Sequence, residues 1–521
     1  MIDKNSVSKF LWFNIVMITL SILVLCTITT TYSQDYNTSP VKEISTNYWQ
    51  YSTPEEQGID SELLAEMLQK IKDENLNIRS IIIIRNGHLV LESYVHPYNE
   101  NVMHDVKSVS KSIISSIVGI ALKEKIIESR NRKVIEFLPE YFPADANNLK
   151  KEISIANLLS MSSGLELDEN GPIMSEIMSE EDWIKATFER PMISSPGAQF
   201  TYSTLLTHTM SLILTKSCGT DLLEFSNKYL FEPLGIKKFH WEKGPQGYYF
   251  GGDKLWITPQ AMTKFGYLFL NEGKWENTQV VPKEWVEEST KSYFDEFSDS
   301  TYSGYGYWWW LGMGGSYHAR GYGGQIISVY PDRDMVVVFT GADNYMWQKL
   351  TNDYIIPAVK MEGPLPSNPA AEKRIQKIAG ELKLPESETT LPLPEIAQKI
   401  SGRNYILQKN DLEFSEITLM FNETNVCNLF IKYGEATLDL AVGLDKVYRV
   451  TEKVKWGMKP NNNILALKGR WIDESKFTID FQEVGEPFYF DVVLEFDKEK
   501  LKALFTWQPF GWEFKLQGTA D

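Results

Sequence analysis

The hydrophobic pattern of the chain changes at a proline-rich stretch, and this change restricts the possible folds more than any other feature. Beyond residue 400, apolar and polar residues alternate in short runs such as KFTIDFQEV and FYFDVVLEF, a pattern typical of strands with one buried face. We therefore predict two folded units, residues 49–360 and 400–521, joined by a linker at 361–399. The second unit is predicted to be a small all-β sandwich or barrel. The linker is identified by its prolines, which are Pro364, Pro366, Pro369, Pro385, Pro392 and Pro394.

The first unit begins and ends with strand-forming segments. The run SIIIIRNGHLVLESYV predicts a hairpin that turns at Asn86-Gly87, because this dipeptide favours the left-handed backbone of a tight hairpin turn. Near the other end, QIISVY and MVVVFT flank the turn residues PDRD and predict a second pair of strands. Glycines and prolines punctuate short helical patterns between these segments. This order predicts an α/β unit that is larger than most domains.

An apolar segment at residues 10–28 follows a weakly basic start that contains Lys4 and Lys9. Small residues near Ser33 offer a cleavage point, so residues 1–33 predict a signal peptide and an extracytoplasmic, secreted protein. The segment is also close to the length that spans a bilayer. The alternative is an uncleaved anchor that attaches the protein to a membrane through residues 10–28.

Charge and cysteine usage exclude several classes of function. The formal net charge is −17 and no basic run is present, so nucleic acid is not expected as a partner. The three cysteines form no CxxC pair and no HExxH motif occurs, so we predict no metal site. The GxGxxG and GxxxxGK[ST] motifs of nucleotide-binding loops are absent as well, and we expect no cofactor. The pattern predicts no particular oligomeric state.

The motif KSVSKS at residues 107–112 is followed by an apolar helical pattern. Residues three positions apart share one face of a helix, so Ser108 and Lys111 are expected to touch. The N–H groups of a first helical turn favour a developing anion, and a lysine that loses its proton can activate a hydroxyl. Ser108 is thus a candidate nucleophile. The alternative is an ordinary surface helix that begins with Ser and carries Lys one turn later.

Further segments downstream occur in an order typical of one family. They are ISIANLLSMSSGLELDE, PGAQFTYST and RGYGGQIISVYPDRDMVVVFTG. With the SxxK motif they resemble the serine beta-lactamase and penicillin-binding-protein superfamily, in the class C-related branch of esterases and amidases, from about Trp49 to Val359. The resemblance implies an antiparallel sheet flanked by helices, plus an all-helical region. Residues 400–521 resemble the accessory β-domain often found behind this hydrolase domain.

The resemblance also implies catalytic roles that suit these residue types. Ser108 would attack an ester or amide carbonyl, while Lys111 and Tyr202 handle its proton. The oxyanion would accept hydrogen bonds from the backbone N–H groups of Ser108 and Tyr322. The implied substrate-binding residues are Thr204, Arg320, Gly321, Gly323 and Gly324. Glycines at a strand edge let a substrate approach closely. The alternative for these glycines is an ordinary tight hairpin, and the alternative for Tyr202 is a core aromatic residue.

The sequence departs from the family pattern at two places. Thr204 stands where the family usually has Asn, and it lacks the paired donor and acceptor of an amide. The usual Lys-Thr-Gly or His-Thr-Gly triplet is replaced by Ala319, Arg320 and Gly321. Arg320 would either bind a substrate carboxylate or lie solvated at the edge, and His318 should face the opposite side of the strand. These departures favour an esterase or amidase over a beta-lactamase.

We therefore predict an exported serine hydrolase that cleaves an ester or amide through an acyl-enzyme intermediate. One alternative keeps the nucleophile but acts as a D-alanyl-peptide carboxypeptidase or a beta-lactamase. A second alternative is a non-catalytic relative that binds cell-wall fragments or peptides.

The aromatic residues of the second unit are expected to pack its core and sheet faces. The alternative is a lid over the active-site mouth, or a carbohydrate contact through Trp507 and Trp512. The residues concerned are Trp471, Phe477, Phe481, Tyr489, Trp507 and Trp512.

Overall fold

The computed structural model describes most of the chain in eight ranges. The signal peptide or membrane anchor predicted at residues 1–33 lies outside them. Within the described ranges, every helix is too short or too polar to cross a lipid bilayer. The ranges are 48–144, 146–295, 302–360, 363–389, 392–421, 425–456, 459–497 and 499–521.

The first unit is built on a central sheet flanked by helices on both faces. Its strands are β1 (Gln50–Tyr51), β2 (Ile78–Arg85), β3 (His88–Tyr94), β4 (His104–Asp105), β5 (Phe239–Trp241), β6 (Leu255–Ile257), β7 (Lys274–Trp275), β8 (Thr278–Gln279), β9 (Gly304–Tyr305), β10 (Trp310–Leu311), β11 (Tyr317–Gly321), β12 (Gln325–Tyr330) and β13 (Met335–Gly341). Eight of them form one sheet in the order β1-β3-β2-β13-β12-β11-β10-β9, and smaller sheets contain β4-β6-β5 and β7-β8. Apart from β1, which runs parallel to β3, neighbouring strands are antiparallel.

The helices of the first unit and the following segment are mostly short. They are Ser61–Asp73, Val109–Lys123, Val134–Phe137, Asn148–Lys151, Ile155–Leu159, Pro172–Met178, Trp183–Glu189, Thr204–Cys218, Leu222–Ser226, Pro259–Leu270, Lys283–Ser289, Met346–Leu350, Ile356–Ala358, Pro369–Lys383 and Glu395–Ile400. This arrangement confirms the predicted α/β fold, with an antiparallel sheet and a helical region between its halves.

The predicted hairpin and strand pair are both present. Asn86 and Gly87 connect β2 to β3 with φ angles of 50° and 75°, the left-handed values that a tight hairpin turn requires. β12 and β13 pair in the same antiparallel way. Because β13 also pairs with β2, the two ends of the first unit meet at the centre of one sheet.

The centre of the sheet is buried on both faces because its apolar residues alternate between two cores. Ile82 and Ile84 of β2 pack into the core that contains the helix Val109–Lys123. Ile81 and Ile83 pack into the core on the opposite face. A run of isoleucines in one strand therefore holds both helical layers against the sheet.

The helix Val109–Lys123 is enclosed by the rest of the first unit. Its residues from Val109 to Ala121 are all buried, and Ser112 Oγ donates a 2.6 Å hydrogen bond to the carbonyl oxygen of Trp308. Gly119 packs so closely on Trp285 that a Cβ atom would overlap the indole. These contacts fix the helix, and with it the position of its N-terminus.

Part of the predicted linker packs against the first unit. The helix Pro369–Lys383 lies beside the helix Ser61–Asp73, where Lys72 pairs with Glu381 at 2.5 Å. The linker segment thus adds a helix to the core on that face of the sheet. The side chains that the helix buries are Ala371, Ile375, Ile378 and Leu382.

Residues 400–521, called the β-domain below, form a barrel. Its strands are β14 (Asn404–Leu407), β15 (Phe414–Phe421), β16 (Val426–Tyr433), β17 (Ala436–Gly443), β18 (Arg449–Trp456), β19 (Lys459–Trp471), β20 (Lys476–Glu483), β21 (Tyr489–Asp497), β22 (Lys500–Gln508) and β23 (Trp512–Ala520). They follow the order β17-β16-β15-β14-β23-β22-β21-β20-β19-β18, and a further parallel pairing of β17 with β19 closes the ring. The predicted all-β domain is confirmed, and the closure identifies it as a barrel.

The aromatic residues of the β-domain occupy different places. Phe477 and Phe481 are buried in the barrel core, as predicted, and Trp471, Trp507 and Trp512 lie partly buried against it. Tyr489 instead faces the first unit, since its hydroxyl accepts a 3.1 Å hydrogen bond from Asn77 Nδ2.

Replacement of Gly119 by Ala is expected to destabilise the protein by about 1–3 kcal/mol, because the new methyl group overlaps the Trp285 indole in a packed core. Gly380→Ala is the matched control. Gly380 lies in the helix Pro369–Lys383 with nothing near the position of a new Cβ atom, so alanine should stabilise that helix by about 0.5–1 kcal/mol. Urea unfolding followed by tryptophan fluorescence measures both changes. A Gly119→Ala protein as stable as the native one would contradict the packing described here.

Candidate active site

The candidate nucleophile lies at the start of the buried helix Val109–Lys123, called the nucleophile helix below. Ser108 is its N-terminal cap residue, is partly exposed, and makes no capping bond with its side chain. The preceding residue, Lys107, has a φ of 49°, a left-handed conformation that costs energy in a residue other than glycine. The serine hydroxyl is thus presented on a strained turn and is left for another partner.

That partner is Lys111, whose side chain is only 1% exposed. Its Nζ atom donates hydrogen bonds to Ser108 Oγ at 2.9 Å, to Thr204 Oγ1 at 2.8 Å and to the carbonyl oxygen of Gly252 at 2.9 Å. The structure therefore brings together the serine and the lysine that the SxxK motif predicts to touch. Three acceptors match the three protons of an ammonium group, and they offset the cost of burying it.

Thr204 is held in turn by a carboxylate that our sequence analysis did not predict. Glu169 accepts hydrogen bonds from the Thr204 hydroxyl and from its backbone N–H. Because the hydroxyl gives its proton to Glu169, its lone pairs are directed to Lys111. Burial raises the pKa of Glu169 above its ordinary value, although Lys111 and the bonds from Thr204 act against the rise. The ELDE run that contains Glu169 was visible in the sequence, but nothing in its spacing connects it to Thr204.

Tyr202 lies beside Lys111, but it presents its ring. The ammonium of Lys111 is 5.1 Å from the ring centroid, within the range of a cation–π contact. The ring of Tyr202 also stacks on that of Trp310, with ring centroids 5.7 Å apart. The structure thus places the predicted tyrosine next to the predicted lysine, and the role of its hydroxyl in proton transfer stays a prediction.

The end of β11 adjoins the turn at Lys107 and Ser108, called the nucleophile turn below. The oxyanion is expected at this place. A Cβ atom on Gly321 would overlap the carbonyl oxygen of Val106 and lie 3.2 Å from Lys107 Cβ, so only glycine allows this approach. Within the described part of the chain, the backbone N–H groups of Ser108 and Tyr322 donate to no other protein atom. Such N–H groups suit a developing oxyanion, and the oxyanion site stays a prediction.

The next glycines shape the turn after β11. Gly323 and Gly324 have φ angles of 75° and 81°, which favour glycine. A Cβ atom on Gly324 would overlap the carbonyl oxygen of Asp343, and one on Gly323 would overlap Pro487 of the β-domain. The alternative of a tight hairpin therefore explains both glycines, and substrate binding by them stays a prediction.

Arg320 and His318 lie on the same strand in different surroundings. Arg320 is partly exposed, and its Nη1 atom donates a 3.1 Å hydrogen bond to the hydroxyl of Tyr302. His318 is buried with its Nδ1 atom 2.8 Å from Ser328 Oγ, and burial lowers its pKa to about 4. A buried neutral histidine agrees with the structural role predicted for it. Arg320 is held by an aromatic hydroxyl, and its role toward a carboxylate stays a prediction.

A buried group of four charges lies directly behind the nucleophile turn. Lys107 Nζ pairs with Asp105 at 2.6 Å and with Glu486 at 2.9 Å, and Lys254 lies 3.6 Å and 3.9 Å from the same two carboxylates. Asp105 Oδ1 also accepts the backbone N–H groups of Lys107 and Lys254. We call these residues the charge cluster. Glu486 comes from the β-domain, so the second unit supplies one of the charges next to Ser108.

The directions in which the pKa values of Asp105, Lys107 and Lys254 move indicate that their neighbours stabilise these three groups as ions. Burial alone would raise the pKa of Asp105, but Lys107 and Lys254 outweigh it and lower that pKa below its ordinary value. Burial also opposes the charge of Lys107, yet Asp105 and Glu486 raise the pKa of Lys107. Glu486 and Asp105 likewise raise the pKa of Lys254 against its burial. The cluster is therefore a compensated ionic network.

The described residues contain no group of three or more His, Cys, Asp or Glu side chains that is arranged to hold a metal ion. Cys218 and Cys427 are free thiols, the first partly exposed and the second buried.

Comparison with known proteins identifies relatives of the first unit. A family model described as Beta-lactamase matches residues 79–356, which is just over half of the chain. An uncharacterized protein of Alkalihalophilus pseudofirmus is 22% identical over 300 residues, which cover 50% of this chain and 82% of that protein. The 6-aminohexanoate-dimer hydrolase of Paenarthrobacter ureafaciens is 23% identical over 314 residues, covering 55% of this chain and 79% of the hydrolase.

A solved structure shows the same fold. A Bacillus anthracis protein assigned as a 6-aminohexanoate-dimer hydrolase superposes with a TM-score of 0.51 at 20% sequence identity. The match covers 61% of this chain and 89% of that protein. At this level of identity the likeness concerns the fold.

Glu486→Gln is expected to lower the free energy of unfolding by about 3 kcal/mol, because it leaves two buried lysine charges with a single carboxylate, Asp105. The effect should persist between about pH 4 and pH 10. The pKa of Asp105 is lowered in the folded protein, so the stability that this group contributes is lost only as the pH falls below the ordinary pKa of Asp. The pKa values of the lysines are raised, so the stability that they contribute is lost only as the pH rises above the ordinary pKa of Lys.

Glu513→Gln provides the control for this measurement, since Glu513 forms an exposed pair with Lys515 in the same domain and should cost less than about 1 kcal/mol. Urea unfolding at several pH values gives both results. Equal effects of the two substitutions would show that the charge cluster does not stabilise the contact between the units.

Proposed function

Because the chain belongs to the beta-lactamase family, we propose that it is a serine hydrolase that cleaves an ester or amide through an acyl-enzyme. The observation that carries the proposal is the 2.9 Å hydrogen bond between Lys111 Nζ and Ser108 Oγ. It joins an amine to a partly exposed hydroxyl at the N-terminus of a buried helix. A protein that only binds peptides or cell-wall fragments has no need of this contact, so it favours the hydrolase over the non-catalytic alternative.

The first chemical step is the attack of Ser108 Oγ on the substrate carbonyl carbon. The Lys111 ammonium first gives one proton to solvent, and the neutral amine then accepts the serine proton while the carbonyl π electrons move to the oxygen. The N–H groups of Ser108 and Tyr322 stabilise the oxyanion, and the positive end of the nucleophile helix adds to this stabilisation. When the tetrahedral intermediate collapses, the leaving group departs with the proton that Lys111 took up. Water then repeats the sequence on the acyl-enzyme and releases the acid.

Two neighbours keep Lys111 in place for this role. Thr204 accepts one of its hydrogen bonds because Glu169 accepts the Thr204 proton. Thr204, at the position where the family usually has Asn, therefore holds Lys111 together with Glu169. Tyr202 completes the proton relay in this proposal, with its ring against the ammonium and stacked on Trp310.

The residues around the site favour an open-chain ester or amide as substrate. Thr204 and Ala319 differ from the family's usual residues, and the nearest cation on β11, Arg320, is hydrogen-bonded to Tyr302. Among the relatives, the 6-aminohexanoate-dimer hydrolase of Paenarthrobacter ureafaciens acts, by its name, on a dimer of an amino acid. These points support an esterase or amidase over a beta-lactamase or a D-alanyl-peptide carboxypeptidase. Export through residues 1–33 is part of the same proposal.

A fluorophosphonate probe is expected to label the native protein at Ser108, and a fluorescent penicillin is expected to leave it unlabelled. Ser108→Ala should abolish the fluorophosphonate signal. Ser115→Ala is the matched control, because Ser115 lies on the same helix with a buried hydroxyl that has no hydrogen-bond partner among the described residues. Peptide mass spectrometry locates the label. Labelling by both probes would favour the penicillin-recognising alternative, and labelling by neither would favour the binder.

Glu169→Gln is expected to change the acid limb of the kcat/KM profile, because burial raises the pKa of the Glu169 carboxyl and the glutamine that replaces it does not titrate. It should also lower the maximal kcat/KM by about 10-fold, the equivalent of one charge-assisted hydrogen bond. Glu166→Gln is the control, since Glu166 lies on the same segment and pairs with Arg190 at the surface. A Glu169→Gln profile that superimposes on the native one would remove Glu169 from the mechanism.

A further inference from the structure

Two turns of the β-domain reach the edge of the candidate active site. The turn between β20 and β21 places Pro487 against Gly323, and the carbonyl oxygen of Gly485 accepts a 3.0 Å hydrogen bond from the backbone N–H of Asp105. Glu486 of the same turn pairs with Lys107, the residue before the nucleophile. The β-domain is therefore fixed to both sides of the gap between the nucleophile turn and β11.

These turns bring aromatic side chains to Tyr322, the residue expected to stabilise the oxyanion. The ring of Phe510 stacks on that of Tyr322 with centroids 5.6 Å apart and planes 10° apart. Phe488 lies 5.8 Å from Tyr322 and 5.6 Å from Phe510, and its ring faces the Lys107 ammonium at 4.7 Å. Trp507 and Trp512 continue the stack behind Phe510. We call Tyr322, Phe488, Trp507, Phe510 and Trp512 the aromatic wall.

The front of this wall lies outside the buried cores of the two units. Trp507 and Trp512 lie against the barrel core, but Tyr322, Phe488 and Phe510 belong to none of the apolar cores formed by the described residues. Phe510 is 41% exposed. Tyr322 and Phe488 are partly exposed, and aromatic rings gathered in this way beside a reactive site are typical of a surface that binds an apolar group.

The place of the wall indicates which part of a substrate meets it. The leaving group must lie near the proton relay, where Lys111 and Tyr202 pack with Thr204 and Trp310. The wall begins instead at Tyr322 and packs with Lys107. If the carbonyl oxygen lies at the N–H of Tyr322, the acyl chain has the wall as its neighbour. The charge of Lys107 is neutralised by Asp105 and Glu486, so Lys107 offers no free charge to an acidic acyl group.

We propose that the aromatic wall is an acyl-binding subsite, supplied largely by the β-domain, that selects esters or amides with apolar acyl chains. This proposal rests on the serine hydrolase activity proposed above and specifies its substrate class. The β-domain then takes part in specificity: Phe488 and Phe510 would contact the acyl chain while Tyr322 contributes its N–H to the oxyanion.

The test is a series of 4-nitrophenyl esters from acetate to octanoate, hydrolysed by the full chain. The native protein is expected to prefer octanoate to acetate, and Phe510→Ala should reduce the octanoate-to-acetate ratio of kcat/KM by about 10-fold. Phe488→Leu, which keeps an apolar side chain, should reduce the ratio less. Ile472→Ala is the control, because Ile472 is 52% exposed and precedes β20, at the opposite end of that strand from the turn that carries Phe488.

The outcomes separate the subsite from the hydrolase. Acetate hydrolysis and fluorophosphonate labelling of Ser108, without a preference for long acyl chains, would overturn the subsite and leave the hydrolase in place. A second series with a constant acetyl group and varied leaving groups tests the orientation. If Phe510→Ala changes this second series instead of the first, the wall binds leaving groups and the proposal is wrong. Absence of both turnover and labelling would overturn the hydrolase and the subsite with it.

Discussion

The burial of the Lys111 ammonium is the constraint on which the site depends. A charged group that is removed from water must find hydrogen-bond acceptors on every side, and Lys111 finds them on three separate segments, at Ser108, Thr204 and the carbonyl of Gly252. These segments come from the nucleophile helix, the helix Thr204–Cys218 and the loop before β6. One side chain therefore sets the distance between the nucleophile and the residues that surround it, and the enclosed helix behind Ser108 keeps that distance fixed.

The features of the fold and site that could be predicted from the sequence are those that depend on residues close together in the chain. Ser108 and Lys111 are three residues apart, so their contact follows from helix geometry. Asn86-Gly87 defines its hairpin by local backbone preference. Glu169 and Glu486 could not be found in this way, because their hydrogen-bond partners lie 35 and 379 residues away in the chain. A single carboxylate carries no periodicity, and only the folded arrangement shows which charge it compensates.

The linker and the barrel show the same limit. Proline content at 361–399 indicated a connection, yet Asn368 caps the helix Pro369–Lys383 by accepting the N–H of Ala371, and Pro369 begins it. Both are ordinary helix-start signals that the proline count obscured. Alternation beyond residue 400 predicted strands but left sandwich and barrel open. Whether the strands form a sandwich or a barrel depends on the pairing of β17 with β19. This pairing does not change the alternation of apolar and polar residues in either strand.

Lys107 and Lys111 are close in the sequence and serve different parts of the molecule. Lys111 is turned to the reacting hydroxyl, whereas Lys107 is turned to the β-domain through Glu486. The charge balance beside the nucleophile is thus shared between two folding units that are separately recognisable in the sequence. A descendant that exchanged its barrel for an unrelated module, or lost it through a premature stop codon, would keep the reactive serine and Asp105 but lose one of the two carboxylates that pair with Lys107. An incoming module would restore this charge balance if it brought an acid to the same place.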